Sequence, residues 1–193
     1  HNLKNVITYP PALLGLGMGL FISAANEVIN LVFGVWMEDT FQLKILALGA
    51  ASAVIGIAEL GGEGITAAVT DRLGKTPAIS IGLILNSVAV LALPFLGRTL
   101  SGAMIGLFLF YITFEFAVVS SIPLMTEVYP PARATIMAMY AGSFSLGRAL
   151  GALISAPLYL LGQSSPTVPG ILPSALATIG LNLMALVVLS LLH

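Results

Sequence analysis

The feature that most constrains this chain is a series of six apolar stretches separated by short polar segments. Each stretch is long enough to cross ~30 Å of hydrocarbon, which takes ~20 residues of helix at ~1.5 Å per residue. The stretches cover residues 11–35, 45–69, 77–96, 102–126, 134–161 and 171–192. Because a helix satisfies its own backbone polar groups in lipid, and because the period-two alternation of a barrel strand is absent, we predict an all-α fold: a polytopic membrane bundle of six transmembrane helices.

The segments between the stretches, such as residues 36–44 and 162–170, are too short for a second folded unit. We therefore predict a single six-helix transmembrane domain over residues 1–193. Lys and Arg are enriched in cytoplasmic loops, and counting them by side gives an excess on the side of the N-terminus. That side carries Lys4, Arg72, Lys75 and Arg133, and the opposite side carries Lys44 and Arg98. The excess predicts a multi-pass membrane protein with both ends in the cytoplasm.

Composition excludes several classes of protein. Charged residues make up 8% of the chain and hydrophobic residues 58%, whereas a soluble domain is roughly a quarter charged. A net charge of -1 with seven Lys plus Arg provides no basic patch for nucleic acid. The chain has no Cys, and its two His residues, His1 and His193, are terminal. We therefore expect no metal, no cofactor and no intramembrane enzyme.

A short internal repeat indicates two sets of three helices. Gly19–Phe21 in the first stretch precedes Glu27, and the same three residue types at Gly106–Phe108 in the fourth stretch precede Glu115 at nearly the same distance. Three-plus-three repeats are typical of the halves of membrane transporters. We predict that the first and fourth helices occupy equivalent places in the bundle.

Ionisable residues within the stretches are confined to four of the six. The third and sixth stretches offer only Asn86 and Asn182, whereas the other four hold Glu27, Glu59, Glu63, Glu115 and Arg148. A charge at the bilayer centre costs at least a few kcal/mol, so we expect these side chains to face a cavity for substrate or protons. Counting from the loops puts Arg148 and Glu115 at similar depth, and we predict that they pair. A purely structural ion pair is the alternative.

Two of these acids are one helical turn apart. Glu59 and Glu63 therefore share one helix face, and repulsion between two carboxylates in a low-dielectric site favours the protonated form of one of them. Such a carboxyl is what proton coupling requires. The alternative is that one or both acids lie in a watery vestibule or accept hydrogen bonds from a neighbouring helix.

The loop after the second stretch carries a recognisable motif. It resembles the signature G-x-L-A-D-R-x-G-R-K of the major facilitator superfamily of transporters. Four positions match the signature and three differ. Asp71, Arg72, Gly74 and Lys75 match, Val69 stands for Leu, Ala67 replaces the first Gly and Thr76 replaces the last basic residue. The segment from Glu127 to Arg133 resembles the acidic-to-Arg loop after the fourth helix of a superfamily half.

The resemblance implies a fold and an activity. It implies one six-helix half of a transporter, with the C-terminal half favoured and the chain read as a fragment or a processed half. It implies secondary active transport of a small solute by alternating access, with the acids and Arg148 lining the cavity, the third and sixth helices supporting them from outside, and proton coupling as an option. It also implies a cytoplasmic gate network of Asp71, Arg72, Gly74, Lys75, Glu127 and Arg133, in which we expect Arg72 to pair with Glu127.

A second hypothesis comes from a different class of protein. A degenerate transporter half would serve as a non-transporting scaffold or assembly subunit within a larger membrane complex. The expected partners are therefore the lipid bilayer, a small-molecule substrate, and either a second six-helix half or a membrane complex. The incomplete match of the loop favours the scaffold, and the four charge-bearing helices favour transport.

Overall fold

The computed structural model describes residues 2–42, 45–165 and 170–192, and within these ranges every regular element is a helix. The terminal His1 and His193 lie outside the described residues, and so does Lys44, which was one of the six loop charges counted above. The helices are α1 Asn2–Ile7, α2 Pro10–Asn30, α3 Phe33–Phe41, α4 Ile45–Leu73, α5 Lys75–Leu96, α6 Leu100–Val128, α7 Arg133–Gln163 and α8 Leu172–Leu191, with a 3-10 turn at Pro130–Ala132 before α7.

Six spans are long and apolar enough to cross a membrane, with α2 and α3 together forming the first. The predicted all-α bundle is confirmed, and the chain is a multi-pass integral membrane protein. We call the end of the bundle where α2 begins and α8 finishes the terminal end, and the opposite one the distal end.

The first span is longer than the prediction. We expected a loop from residue 36, but after a distortion at Leu31 and Val32 the chain continues as α3 to Phe41. The Val32 amide donates to the Ile29 carbonyl at 3.1 Å, three residues back, which tightens the last turn of α2. Trp36 and Met37 are buried, and this burial offsets the polar composition of the end of α3.

Local signals account for where the helices begin. Proline stands in the first turn of α2 and of α8, where its missing N–H costs no hydrogen bond. The Thr99 hydroxyl accepts the Gly102 amide at 3.1 Å and caps α6. Gly74 separates α4 from α5 with φ at 85°, a left-handed backbone conformation that glycine adopts without steric cost.

Packing of the helices follows an approximate two-fold symmetry. α2 packs most extensively on α7 and α8, and α6 packs most extensively on α4 and α5, while α5 contacts α8. Exchanging α2 with α6, α4 with α7, and α5 with α8 therefore leaves the pattern of contacts unchanged. This is the predicted three-plus-three repeat, with the two sets of helices crossing the membrane in opposite directions.

The core has two apolar layers and a polar layer between them. One apolar cluster includes Trp36 and Phe110 toward the distal end, and the other includes Met18 and Met125 toward the terminal end. Between them, the buried Asn182 donates its amide to Asn86 Oδ1 at 2.8 Å, which joins α8 to α5. Among the six spans, those of α4 and α7 are the least buried, so one side of the bundle is open along these two helices.

Candidate functional site

An ion pair between α2 and α7 lies in the polar layer. Arg148 Nε is 3.3 Å from Glu27 Oε2, so the predicted pairing of Arg148 with Glu115 is wrong. The carboxylate is nearly buried, at 9% side-chain exposure, whereas the Arg148 side chain is 65% exposed. The reason for the choice of partner is local: a Cβ at Gly151 of α7 would lie 2.9 Å from Glu27 Cβ, so α7 crosses α2 closely at this point.

Two uncharged side chains extend this pair toward α6. Asn30 Nδ2 donates to Glu27 Oε2 at 3.3 Å, and the Tyr111 hydroxyl donates to Asn30 Oδ1 at 2.9 Å. Tyr111 is buried, and both Glu27 and Glu59 lie in its surroundings. Sequence reasoning did not select Tyr111, although its position one helical turn before Glu115 was a signal that could have been used.

The crossing of α4 with α6 repeats the geometry of the crossing of α7 with α2. A Cβ at Gly62 of α4 would lie 2.7 Å from Glu115 Cβ and 2.9 Å from the Ile112 carbonyl oxygen. A Cβ at Gly151 would meet Glu27 Cβ and the Ala24 carbonyl oxygen in the same way. In both cases the carbonyl belongs to the residue three before the glutamate. Glu115 and Glu27 are therefore equivalent in the repeat.

This equivalence assigns a counterpart to Arg148. Arg148 lies three residues before Gly151, and Glu59 lies three residues before Gly62. The place that a guanidinium occupies opposite Glu27 is thus taken by a carboxylate opposite Glu115. Both Glu59 and Glu63 interact electrostatically with Glu115. At matching positions, one repeat holds the oppositely charged pair of Glu27 with Arg148, and the other holds like-charged acids around Glu115.

The open side of the bundle carries two grooves that meet on α6. The α4–α6 groove is lined by Glu63, Thr66, Ala67, Thr70 and Asp71 of α4 and by Val119, Ile122 and Pro123 of α6. The α6–α7 groove is lined by Val118 and Ile122 of α6 and by residues of α7 from Met137 to Arg148. Ile122 belongs to both grooves and lies on the same face of α6 as Glu115, seven residues earlier. Glu63 and Arg148 therefore lie on one continuous surface, while Glu59 and Glu115 are half-buried and Glu27 is buried.

The loop motif at the terminal end makes a different contact from the one we expected. Lys75 Nζ, and not Arg72, forms the ion pair with Glu127. Lys75 begins α5, directly after the turn at Gly74, and this position brings it to the end of α6. Asp71, Arg72 and Arg133 are exposed, and no ion pair joins them to another described residue.

A polar cluster at the distal end was not foreseen from the sequence. Asp39 Oδ2 accepts hydrogen bonds from the Tyr159 hydroxyl, at 2.8 Å, and from Gln163 Nε2. The Gln163 amide also donates to the Tyr159 hydroxyl at 3.0 Å. The cluster joins the end of α3 to the end of α7. In the repeat Asp39 is the counterpart of Glu127, because Asp39 follows Glu27 by the same twelve residues as Glu127 follows Glu115. The partners of Asp39 lie on α7, however, whereas Glu127 pairs with Lys75 of α5.

No metal centre is evident in the described part of the chain, because it contains no group of three or more His, Cys, Asp or Glu side chains able to hold an ion. The site consists of carboxylates, one guanidinium and the hydrogen bonds that position them. Side chains of these types are held within a membrane span where they pair with one another or face a polar cavity.

Comparison with known proteins agrees with this geometry. The family model of the Major Facilitator Superfamily matches residues 15–192. The chain is also 30% identical, over 145 residues, to YceJ of Bacillus subtilis (strain 168), an uncharacterized MFS-type transporter. That match covers 71% of this chain and 35% of the relative, so the chain spans about a third of the length of the curated relative it matches.

Proposed function

The chain belongs to the major facilitator superfamily, and from this membership we propose that it forms one half of a secondary transporter that moves a small solute across the membrane by alternating access. A second six-helix half would close the open side of α4 and α7 and complete the cavity. Transport of this kind makes and breaks no covalent bond, so the proposal assigns no enzymatic step.

The single observation that carries the proposal is the distribution of charge in the membrane. Glu27, Glu59, Glu63, Glu115 and Arg148 all belong to α2, α4, α6 and α7. Glu63 lines the α4–α6 groove and Arg148 lines the α6–α7 groove. α5 beyond Lys75 and the whole of α8 carry no ionisable residue. Charges within a membrane are expensive, and a solute path is the usual reason for them.

We further propose that Glu59 and Glu115 take up the proton that couples transport. Glu115 faces the carboxylate of Glu59, whereas the equivalent Glu27 faces the guanidinium of Arg148. Glu63 adds a third acid near Glu115. A proton bound between Glu59 and Glu115 relieves the repulsion that a cation relieves in the other repeat. Glu63 is exposed in the α4–α6 groove and offers a route for the proton to water.

The terminal end is the proposed cytoplasmic gate. The ion pair of Lys75 with Glu127 joins the start of α5 to the end of α6, while Asp71, Arg72 and Arg133 remain exposed on the same end. In this proposal the exposed charges bind a second six-helix half when the cytoplasmic side is closed and release it on opening. Gly74 supports the arrangement by making the turn that aims Lys75 at Glu127.

The test is uptake of labelled small solutes into proteoliposomes that contain the full-length protein, with and without an inward proton gradient. We expect the gradient to drive uptake of at least one solute in the wild type. Glu59→Gln and Glu115→Gln should each reduce gradient-driven uptake to the level seen without a gradient, because a neutral amide cannot take up the proton. Glu38→Gln, at an exposed acid of α3, is the matched control and should leave the response unchanged.

Two outcomes would argue against the proposal. If uptake persists and neither the gradient nor the two substitutions affect it, the coupling role of Glu59 and Glu115 is refuted. If no solute is taken up, and the protein is instead purified in a stable complex without a second transporter half, the non-transporting scaffold is the better interpretation.

A further inference from the structure

The α6–α7 groove has an apolar wall along most of its length. Its volume is about 380 Å³, which is within the range of sites for small organic molecules. Phe144 and Tyr140 form a T-shaped pair with ring centroids 5.0 Å apart. The Tyr140 hydroxyl is already engaged with Ser121 at 2.6 Å, so the tyrosine presents only its ring to the groove. Met137 adds a flexible side chain that adapts to the shape of a ligand.

A cation terminates this wall on the distal side. Arg148 lines the groove and brings to it a guanidinium, a planar cation with five N–H donors in a fixed fork. Its one ionic contact joins Nε to Glu27, and none of the hydrogen bonds among the described residues engages its two Nη groups. At 65% exposure, the outer edge of the guanidinium is left available for an acceptor. Such an edge matches the geometry of a carboxylate, which it binds through two parallel hydrogen bonds.

The depth of Arg148 in the membrane indicates that the acceptor belongs to a dissolved solute and not to a lipid headgroup. Arg148 lies fifteen residues beyond Arg133 on α7, or ~22 Å at ~1.5 Å per residue, which is more than half of a ~30 Å hydrocarbon layer. A phospholipid keeps its phosphate at the surface of that layer. A solute that enters the groove is not restricted in this way and can bring an anionic group to the guanidinium.

We propose that the α6–α7 groove binds an amphipathic organic anion, with a carboxylate against Arg148 and an apolar body along Phe144, Tyr140 and Met137. The groove extends eleven residues along α7 from Met137 to Arg148, or ~16 Å, which suits an apolar body about as long as a medium-chain fatty acid. This inference rests on the proposed transport function and names the class of solute. Glu27 holds the guanidinium in place from behind and leaves its outer edge to the ligand.

The test is a binding measurement that requires no transport. The full-length protein is placed in nanodiscs of neutral phosphatidylcholine, and the binding of dansyl-labelled undecanoate is followed by fluorescence beside the uncharged amide of the same probe. We expect the wild type to bind the carboxylate about tenfold or more tightly than the amide, because hydrogen bonds to a charged group are strong in a water-poor site. Arg148→Gln should remove this preference, and Arg148→Lys should keep part of it.

Three further substitutions, one in the groove and two controls outside it, leave the ion pair undisturbed. Ala141 is an exposed residue of the groove, and Ala141→Trp should weaken binding of both probes by filling the space. Leu153 is 72% exposed on the same helix but is not part of the groove, and Leu153→Trp should leave binding unchanged. Arg98→Gln removes an exposed loop cation and should also have no effect.

Three outcomes would overturn the inference. They are equal affinity of the wild type for the two probes, binding by Ala141→Trp that matches Leu153→Trp, and displacement of the probe by phosphatidylglycerol in a manner that depends on Arg148. The last result would make a lipid the occupant. Because the measurement needs neither a gradient nor turnover, failure of binding alongside intact uptake rejects only the solute class, whereas binding without uptake rejects only transport.

Discussion

At the scale of single residues, the pair of equivalent positions 59 and 148 offers a direct test of the internal symmetry. If Glu59 faces Glu115 as Arg148 faces Glu27, then Glu59→Arg should create a second ion pair in place of the repulsive group. We expect this variant to fold and to have a melting temperature no lower than that of the wild type. The measurement is thermal unfolding in detergent, followed by the loss of monodisperse protein.

The control places the same cation at a position without an acid. Leu85 of α5 is 47% exposed and lies ten residues beyond Lys75, or ~15 Å along the helix. Leu85→Arg should lower the stability, since an unpaired Arg near the middle of a membrane helix costs about 2.5–3.5 kcal/mol on insertion scales. Equal destabilisation by the two substitutions would contradict the equivalence of Glu59 and Arg148.

The sequence could place Arg148 in depth but could not choose its partner. Glu27 and Glu115 are separated from the nearest loop by similar lengths of helix, so their depth in the membrane does not tell them apart. The choice depends on which helix α7 crosses. Small residues four positions apart, as at Gly147 and Gly151, favour the close approach of another helix, and the structure places both glycines against the backbone of α2, at the carbonyls of Leu20 and Ala24. A spacing of small residues predicts a contact without naming the other helix.

At the scale of elements, the crossing of α7 with α2 depends on the absence of a side chain at Gly151. A Cβ there would lie 2.6 Å from the Ala24 carbonyl oxygen, which a backbone atom cannot avoid by changing a rotamer. Gly151→Ala should therefore push the two helices apart, weaken the contact of Arg148 with Glu27 and lower the melting temperature. A second glycine of α7, Gly142, has no heavy atom within 4 Å of such a Cβ.

Gly142→Ala is the matched control for Gly151→Ala. At this open position alanine is about 1 kcal/mol more favourable than glycine in a helix, so stability should stay the same or rise. The two variants differ only in where one methyl group is placed on α7. Should both raise the melting temperature, α7 would not approach α2 as closely as the structure indicates.

The sequence predicted a helix correctly where the length of its apolar run sets its bounds. It did not predict a helix that tertiary contacts extend beyond that run. The spans over α5 and α8 needed only their run of apolar residues. The last turn of α3 contains Glu38, Asp39 and Thr40, a composition that indicates a loop. Burial of Trp36 and hydrogen bonds to Asp39 from α7 nevertheless hold this turn as helix. The sequence carries no local signal for partners that are some 120 residues away.

At the scale of the whole molecule, the proposed orientation can be tested with single cysteines, because these 193 residues contain none. Arg98 lies in the exposed segment between α5 and α6, and Arg72 lies in the exposed segment before α5. If both ends of the chain are cytoplasmic, Arg98→Cys should react with a membrane-impermeant maleimide added to intact cells. Arg72→Cys should react only after the membrane is opened.

The pair of variants is its own control, since each reports the accessibility that the other should lack. The reverse pattern would place both ends of the chain outside and would move the proposed gate at Lys75 and Glu127 to the external face. Labelling of both cysteines in intact cells would instead indicate leaky membranes, which an untagged cytosolic thiol protein in the same cells would reveal.

The opposite signs at Glu59 and Arg148 also bear on how the molecule responds to voltage. Glu59 lies ~18 Å from Asp71 along α4, and Arg148 lies ~22 Å from Arg133 along α7, so their depths differ by only ~4 Å. Moving one charge across the full membrane at 100 mV involves about 2.3 kcal/mol. A separation of ~4 Å is a small part of the ~30 Å hydrocarbon layer and so involves only a small part of that energy. The dipole between the two residues therefore runs nearly parallel to the bilayer, and in the proposed proton-coupled mechanism the electrical work of turnover falls on the moving protons and solute.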